Sequence, residues 1–460
     1  MHDLRSPLRR LAHSAGSLAM LNLASMALAF FIGVLLARRL GPAEYGIYGL
    51  AMTIATLAGL ITELGLPVLT MREVAAAQAT GRWSLARGLE IWADRAVLGL
   101  SALLLTGFFM VNYTTGLSGA STLGATMLWA IILVPVVALG KLRGLALLSL
   151  GHTMAGQLPV LVLRPALFVL ALLAAWWLLP DLSPSLAMAL QVGASFAAMV
   201  VVRLAWRLLR PTEISNAAPQ FARRSWLAAC LPMGMTEGLR LLEGQSAVLM
   251  LGLLTSLSDV GIYRVADAVA AATTVGQSIL ATAATPIFAN LHAAKDRPGL
   301  QRVIGATAIG MTLSTILLGL PFLLFGNRLL SLIFGVEFAP ALLPFLLIWG
   351  GLLISAMFGP LQSYANMTER QQLTTINFLI SVLVFIAVAA VAIPHLGAVG
   401  AGLGVVAANL VSNAWLWRQI WLRDRINASI FHRQPWSIFR LEEIKCLLKT
   451  RASQKNENSV

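Results

Sequence analysis

The feature that most constrains this chain is a succession of apolar stretches, each about 20 residues long, joined by short polar connections. A bilayer core about 30 Å thick is crossed by roughly 20 apolar residues in a helix, because each residue adds only 1.5 Å of rise. Twelve segments meet that measure: 15–37, 45–67, 91–112, 122–149, 157–179, 184–206, 226–254, 260–287, 303–325, 340–363, 373–394 and 398–421. Hydrocarbon offers no partner to a backbone N–H or C=O, so each crossing must close its own hydrogen bonds as a helix. The expected fold class is an all-α polytopic membrane protein of about 12 transmembrane helices. Composition agrees, with 58% hydrophobic and 11% charged residues where a soluble domain carries about 25% charged. The apolar run from Ala15 is longer than a signal-peptide core of roughly 7–15 residues and is expected to be an uncleaved first span.

The net charge of +14 could indicate nucleic acid, but its distribution points elsewhere. With the N-terminus in the cytoplasm, most of the 33 Lys and Arg residues fall in the termini and inward loops, and only Arg38, Arg39 and Arg328 fall on the opposite side. That asymmetry is the positive-inside pattern and predicts N-in, C-in topology. It removes the need for a nucleic-acid partner.

The two halves of the sequence repeat. A shift of 215 places Leu36, Gly46, Ile47 and Tyr48 on Leu251, Gly261, Ile262 and Tyr263, and Thr70, Thr153 and Gln157 on Thr285, Thr368 and Gln372. Spans fall on spans in the same orientation, which predicts a parallel repeat. The expected organisation is a cytoplasmic N-terminus (1–14), two pseudo-symmetric six-helix lobes (15–206 and 226–421) around a central cavity, a basic linker (207–225) and a basic cytoplasmic tail (422–460). Two lobes around a cavity imply alternating access. The tail, with Trp421, Phe431, Trp436 and Phe439 among basic residues, reads equally as an amphipathic surface helix or a solvated segment.

Motifs of soluble catalysis are missing. Gly140-Lys141 is followed by Leu142 rather than by the Ser or Thr of a phosphate-binding loop, and neither HExxH nor CxxC occurs. Cys230 and Cys446 stand far apart, which suits neither a disulfide framework nor a metal site. Gly397, Gly400, Gly402 and Gly404 open an apolar span, where small residues serve close helix packing. The expectation is a transporter rather than an enzyme, with no catalytic residue, cofactor or metal.

Charges inside the spans are the candidate functional residues, because each costs roughly 2.5–3.5 kcal/mol at mid-bilayer and therefore faces a cavity or a partner. Glu237, Arg240 and Glu243 recur every three residues in the seventh span and share one helix face. Arg264 and Asp267 do the same in the eighth, Glu63 lies near the inner end of the second, and Arg164 precedes Pro165 in the fifth. Lys141 and Arg143, two residues apart in the fourth, must point in different directions. Shifted by 215, Glu237, Arg240, Glu243, Arg264, Asp267 and Arg164 fall on uncharged residues, so these charges answer to something unrepeated, such as an asymmetric ligand. The cations Lys141, Arg143, Arg164, Arg240 and Arg264 are candidates for binding a phosphate, pyrophosphate or acidic sugar. The carboxylates Glu63, Glu237, Glu243 and Asp267 are candidates for a coupling cation or proton.

The run Leu36-Ala37-Arg38-Arg39-Leu40-Gly41-Pro42-Ala43-Glu44-Tyr45-Gly46-Ile47-Tyr48, continued by Leu64-Gly65-Leu66 and Arg72 and echoed by Asp259-Val260-Gly261-Ile262-Tyr263, resembles the signature of bacterial polysaccharide-export proteins. From about residue 10 to about 425 the chain resembles the Wzx-type oligosaccharide flippases of the multidrug/oligosaccharidyl-lipid/polysaccharide exporter superfamily. The resemblance implies an undecaprenyl-pyrophosphate-linked oligosaccharide turned from the cytoplasmic to the periplasmic face of a bacterial inner membrane, for O-antigen, capsule or exopolysaccharide, by ion-coupled alternating access. It implies membrane lipids and other polysaccharide-assembly membrane proteins as partners, and cationic cavity residues of the kind Arg164, Arg240 and Arg264 would supply. The alternatives are a multidrug/cation antiporter of the same superfamily, a membrane glycosyltransferase or polymerase, for which the outward loops are short, and a major-facilitator transporter, whose loop motif is missing from residues 68–90.

Overall fold

The computed structural model describes residues 5–115 and 121–426, with side chains described from residue 18 onward apart from 19, 112, 114 and 115. The tail at 427–460, including Cys446, lies outside the described residues. The described chain is helical: α1 (Arg5–Glu63), α2 (Leu66–Thr80), α3 (Trp83–Thr115), α4 (Thr122–Ser149), α5 (Thr153–Leu158), α6 (Arg164–Leu178), α7 (Pro184–Leu209), α8 (Thr212–Asn216), α9 (Arg223–Leu254), α10 (Leu257–Thr273), α11 (Val275–Ala293), α12 (Arg297–Phe334), α13 (Leu342–Phe358), α14 (Leu361–Met367), α15 (Gln371–Leu396) and α16 (Ala398–Asp424).

Among the described residues, nine helices are long and apolar enough to cross a membrane, or ten if the bent pair α10–α11 makes one crossing. The count falls short of the expected twelve for two reasons. The first two predicted segments join into one helical run, Met20–Glu63, of 44 residues. That run breaks at Gly41, whose φ of 70° and ψ of 175° lie outside the helical region and suit glycine, and Pro42 then starts the second arm without needing an N–H. The predicted seventh segment is the 32-residue helix α9, whose charges hold its mean hydropathy down.

The helices pack into two compact units. The first comprises, among the described residues, 5–115, 121–269, Asn327–Pro344 and Ala389–Ala401. Its buried cluster draws Leu66 and Leu69 from α2, Leu89, Ala93 and Val97 from α3, Ala138, Leu139 and Leu142 from α4, and Trp226 and Cys230 from α9. Repeat partners meet in this unit. A Cβ on Gly46 would fall 1.8 Å from the carbonyl oxygen of Leu257, and a Cβ on Gly261 would fall 2.0 Å from that of Pro42. Positions 42 and 257, and 46 and 261, are 215 apart, so the second arm of α1 and α10 cross with each glycine against the other repeat's carbonyl. Arg264 Nη2 also donates to the carbonyl of Gly49, its own repeat partner, at 3.1 Å.

Arg38 and Arg39, two of the arginines expected on the outer side, are spent on helix ends in the same unit. Arg38 donates to the carbonyls of Leu332 and Ile333, the latter at 2.7 Å, in the last turn of α12. Arg39 donates to the carbonyls of Trp176 at 2.7 Å and Pro180 at 3.1 Å, at the end of α6, and its guanidinium lies 4.5 Å from the Trp176 ring centroid. A cation on the last carbonyls of a helix satisfies orphan acceptors and faces the negative end of the dipole.

The second unit comprises Ala270–Gly326, Phe345–Val388 and, among the described residues, 402–426. Phe288, Leu300, Ile304, Leu361, Tyr364, Leu416 and Ile420 form its buried cluster. Arg370 pairs with Asp424, and the Tyr364 hydroxyl donates to Asp424 Oδ2 at 2.9 Å. Burial, and then the charge of Asp424, push the Tyr364 hydroxyl above its ordinary range, so it stays a donor.

Candidate functional site

The first unit encloses a cavity of about 220 Å³ between the second arm of α1 and helices α4, α6, α7 and α9. Its walls are apolar where Leu60, Leu133, Val134 and Val137 face it, and ionic where Glu63, Lys141, Arg164, Glu237 and Arg240 do. Glu63 ends α1 just before Leu64 and Gly65, whose positive φ values of 40° and 78° turn the chain into α2. Lys141 Nζ reaches Glu63 Oε2 at 2.7 Å. On α9 the three-residue spacing sets Glu237 and Arg240 side by side in a bidentate pair, Nε to Oε2 at 2.9 Å and Nη2 to Oε1 at 2.6 Å.

Arg164 has no such neighbour. Between α5 and α6 the chain makes a π turn, Pro159–Leu163, closed by the Arg164 N–H on the Pro159 carbonyl, and Pro165 follows in the first turn of α6. π turns interrupt regular helices at sites where side chains are re-aimed, often functional ones. Arg164 lines the cavity and makes no ion pair with a carboxylate among the described residues. Two carboxylates thus face two paired cations, and one guanidinium is left in excess. Gln191 of α7 lines the same cavity, buried, with its Oε1 accepting no hydrogen bond among the described residues.

The sequence profile described as "Polysaccharide biosynthesis protein" matches residues 11–292, which hold this whole cavity. The chain belongs to the polysaccharide biosynthesis protein family. Curated protein sequences give no match. Among solved structures, an inward-facing multidrug resistance MATE family transporter of the MOP superfamily superposes with a TM-score of 0.72 at 15% identity, covering 89% of this chain and 98% of that one. The lipid II flippase MurJ, in an inward closed conformation, superposes at 0.65 and 12% identity, covering 88% and 87%. A MOP superfamily transporter from Pyrococcus furiosus, described as having a binding pocket of reversed polarity that suggests a different function, superposes at 0.59 and 16% identity, covering 90% and 96%. At these identities the likeness is one of fold, and it makes this polysaccharide biosynthesis protein a polytopic membrane protein built like the MOP transporters.

The other candidate charges of this family member lie outside the cavity lining. Arg143 turns away from Lys141, as their angular separation requires, and enters a network toward the N-terminal end of α3. There Nη2 meets Asp94 Oδ2 at 2.5 Å and Glu90 Oε1 at 3.3 Å. Arg203 joins Asp94 at 3.0 Å, Arg210 joins Glu90 at 3.6 Å, and Trp206 Nε1 donates to Glu90 at 3.0 Å. Arg264 lies along Gly49, where it hydrogen-bonds the backbone. Glu243 on α9 and Asp267 on α10 are also outside the lining.

Sequence reasoning passed over Glu90, Asp94 and Gln191. Glu90 and Asp94 are four apart on one face of α3, a spacing visible in the sequence, but they straddle the expected span boundary at residue 91. Gln191 is the lone amide in the span 184–206, and a search confined to charges leaves it out.

Proposed function

We propose that the chain is a flippase that moves an undecaprenyl-pyrophosphate-linked oligosaccharide from the cytoplasmic to the periplasmic face of the inner membrane, for O-antigen, capsule or exopolysaccharide assembly. The observation that carries this reading is the excess guanidinium of Arg164 in a cavity whose other charges are paired. A pyrophosphate is an acceptor-only anion, and a guanidinium held in an apolar wall offers it charge-assisted donors. Lys141 and Arg240 lie in the same cavity and can exchange their carboxylates for phosphate oxygens. When they do, Glu63 and Glu237 become free to take up a proton or cation, a direct way to couple transport to an ion gradient. Membership of the polysaccharide biosynthesis family supports the reading, as does a fold shared with a protein described as a lipid II flippase. Alternating access between two lobes, N-in and C-in topology, and contact with membrane lipids and other assembly proteins belong to the same proposal.

The second reading is a multidrug antiporter, favoured by the fold shared with the MATE transporter. The cavity speaks against it, because a cationic drug would meet the uncompensated charge of Arg164.

The test is deletion of the gene, with lipid-linked oligosaccharide assayed on each membrane face, and complementation by the intact chain or by Arg164→Gln. The flippase reading requires loss of surface polymer, build-up of lipid-linked units on the cytoplasmic face, and rescue only by the intact chain at equal expression. Unchanged pools together with a fall in drug resistance would replace it with the antiporter reading.

A further inference from the structure

The second unit holds its own cavity, about 210 Å³, and its chemistry is different. Gln277, Ser278, Ser355, Gln362, Ser363 and Asn413 supply its polar lining, and no Asp, Glu, Lys, Arg or His is among its wall residues. Two helix breaks meet there. The α10–α11 pair bends by 45° at Thr274, which places Gln277 and Ser278 in the first turn of α11. Between α13 and α14 the chain breaks at Gly359, with φ +80°, and Pro360, which places Gln362 and Ser363 just beyond the break. The repeat-equivalent position in α4, Gly144-Leu145, lies inside an uninterrupted helix. Irregular backbone at membrane depth is tolerated where it is buried in protein or lines a wet cavity, and discontinuous helices of transporters gather at binding sites.

The hydrogen-bond inventory narrows what the cavity suits. Gln277 Nε2 is held by Thr315 Oγ1 at 2.7 Å and the Leu352 carbonyl at 3.4 Å. Asn413 Nδ2 is held by the Asn409 carbonyl at 2.8 Å. Each amide is thereby oriented with its oxygen left as an acceptor. Ser355, Gln362 and Ser363 make no side-chain hydrogen bond among the described residues, so their hydroxyls and amide offer both donors and acceptors. An anion calls for donors and positive charge. A divalent metal ion is held mainly by carboxylates, and this wall has none. An apolar drug would leave these polar groups unsatisfied, at a loss of about 1–3 kcal/mol each. A ligand bearing hydroxyls, each at once donor and acceptor and without charge, matches the set.

We infer that this cavity is a carbohydrate subsite that takes uncharged sugar residues of the transported oligosaccharide through Ser355, Gln362, Ser363 and Asn413, an assignment that rests on the flippase reading. The charged cavity of the first unit then serves the pyrophosphate, and the neutral cavity serves sugar hydroxyls.

The test uses the full-length protein in lipid nanodiscs with two probes: a panel of neutral disaccharides followed by saturation-transfer NMR, and inorganic pyrophosphate followed by ³¹P NMR. The expected result is that Gln362→Met/Ser363→Ala lowers disaccharide transfer at least tenfold and leaves pyrophosphate binding intact, while Arg164→Gln does the reverse. Asn413→Leu, from a different helix, provides a second variant, and retained pyrophosphate binding certifies that either variant is folded. Disaccharide transfer that survives both variants, or wild-type protein that binds pyrophosphate and no disaccharide, overturns the subsite and leaves the flippase reading standing. Wild-type protein that binds neither probe, with lipid-linked pools unchanged on deletion, overturns both.

Discussion

The two cavities occupy overlapping stretches of the 215-residue repeat, yet one is ionic and the other neutral. Glu63 of the first corresponds to Ser278 of the second, and Lys141 corresponds to Ala356. The same helices can therefore be built with an ion pair or without one. The difference teaches that the fold does not require these charges, which leaves each lining free to follow what it binds. On the proposed reading, the charged lining serves the pyrophosphate and the neutral lining serves the sugars.

The comparison is sharpened first by separating cavity charges from structural ones on the same helix. Arg143→Met leaves Asp94 with only Arg203 and Glu90 with only Arg210 and Trp206. Breaking a buried ion pair by removing one partner destabilises by about 3–5 kcal/mol, so this variant is expected to show a large drop in thermal midpoint and yield. Pyrophosphate binding per folded molecule should stay at the wild-type level; a selective loss of binding at unchanged stability would move Arg143 into the site. Next in size is Arg164→Gln. Hydrogen bonds to charged groups are worth about 1.5–3 kcal/mol, so pyrophosphate affinity should fall roughly 10- to 100-fold with the thermal midpoint unmoved, as titration and thermal unfolding would read.

A smaller effect comes from copying one cavity's chemistry into the other. Ser278→Glu introduces a carboxylate without a partner and should lower stability by about 1–2 kcal/mol, discounted from the mid-bilayer value because Ser278 is exposed. Ala356→Lys, at a fully buried position, carries its own cost, but in a double-mutant cycle with Ser278→Glu it should show a favourable coupling of about half the Ser278→Glu loss. Additive single effects in the double-mutant cycle would show that the two repeats do not superpose at these positions. The smallest effect is expected at the helix-end clamps. Arg39→Gln removes a charged cap from α6 and the stacking on Trp176, together about 1 kcal/mol, and should leave both probes bound as before.

Much of this arrangement was legible before any coordinates. The three-residue spacing put Glu237 and Arg240 on one face, and they pair along one wall of the cavity. The two-residue spacing of Lys141 and Arg143 required opposite directions, and the two side chains take them. The apolar segments 15–37 and 45–67 were expected to be separate spans, and the helical run breaks between them, at Gly41. What stayed hidden had two physical causes. Partner choice at long range is not written in local spacing, so nothing in the sequence of α3 tells that Glu90 and Asp94 collect arginines from α4, α7 and the following turn. Single neutral amides leave an apolar span long enough to cross and carry no charge to single them out, so Gln191, Gln277 and Gln362 pass as ordinary residues of apolar spans. The break at Gly359-Pro360 was marked by its residue types but lay inside an apolar segment long enough to read as one span.

The crossing at Gly46 and Gly261 has a consequence for how such a chain can evolve. After a duplication, one copy is ordinarily free to drift while the other holds the function. Here each copy is part of the other's environment, since the carbonyl at one repeat position occupies the space a side chain would need at the other. A methyl group added to either glycine collides with the other repeat's backbone, so neither half can wander at this point, however far the cavities diverge. The halves are free to specialise in what they bind and are bound together in how they touch.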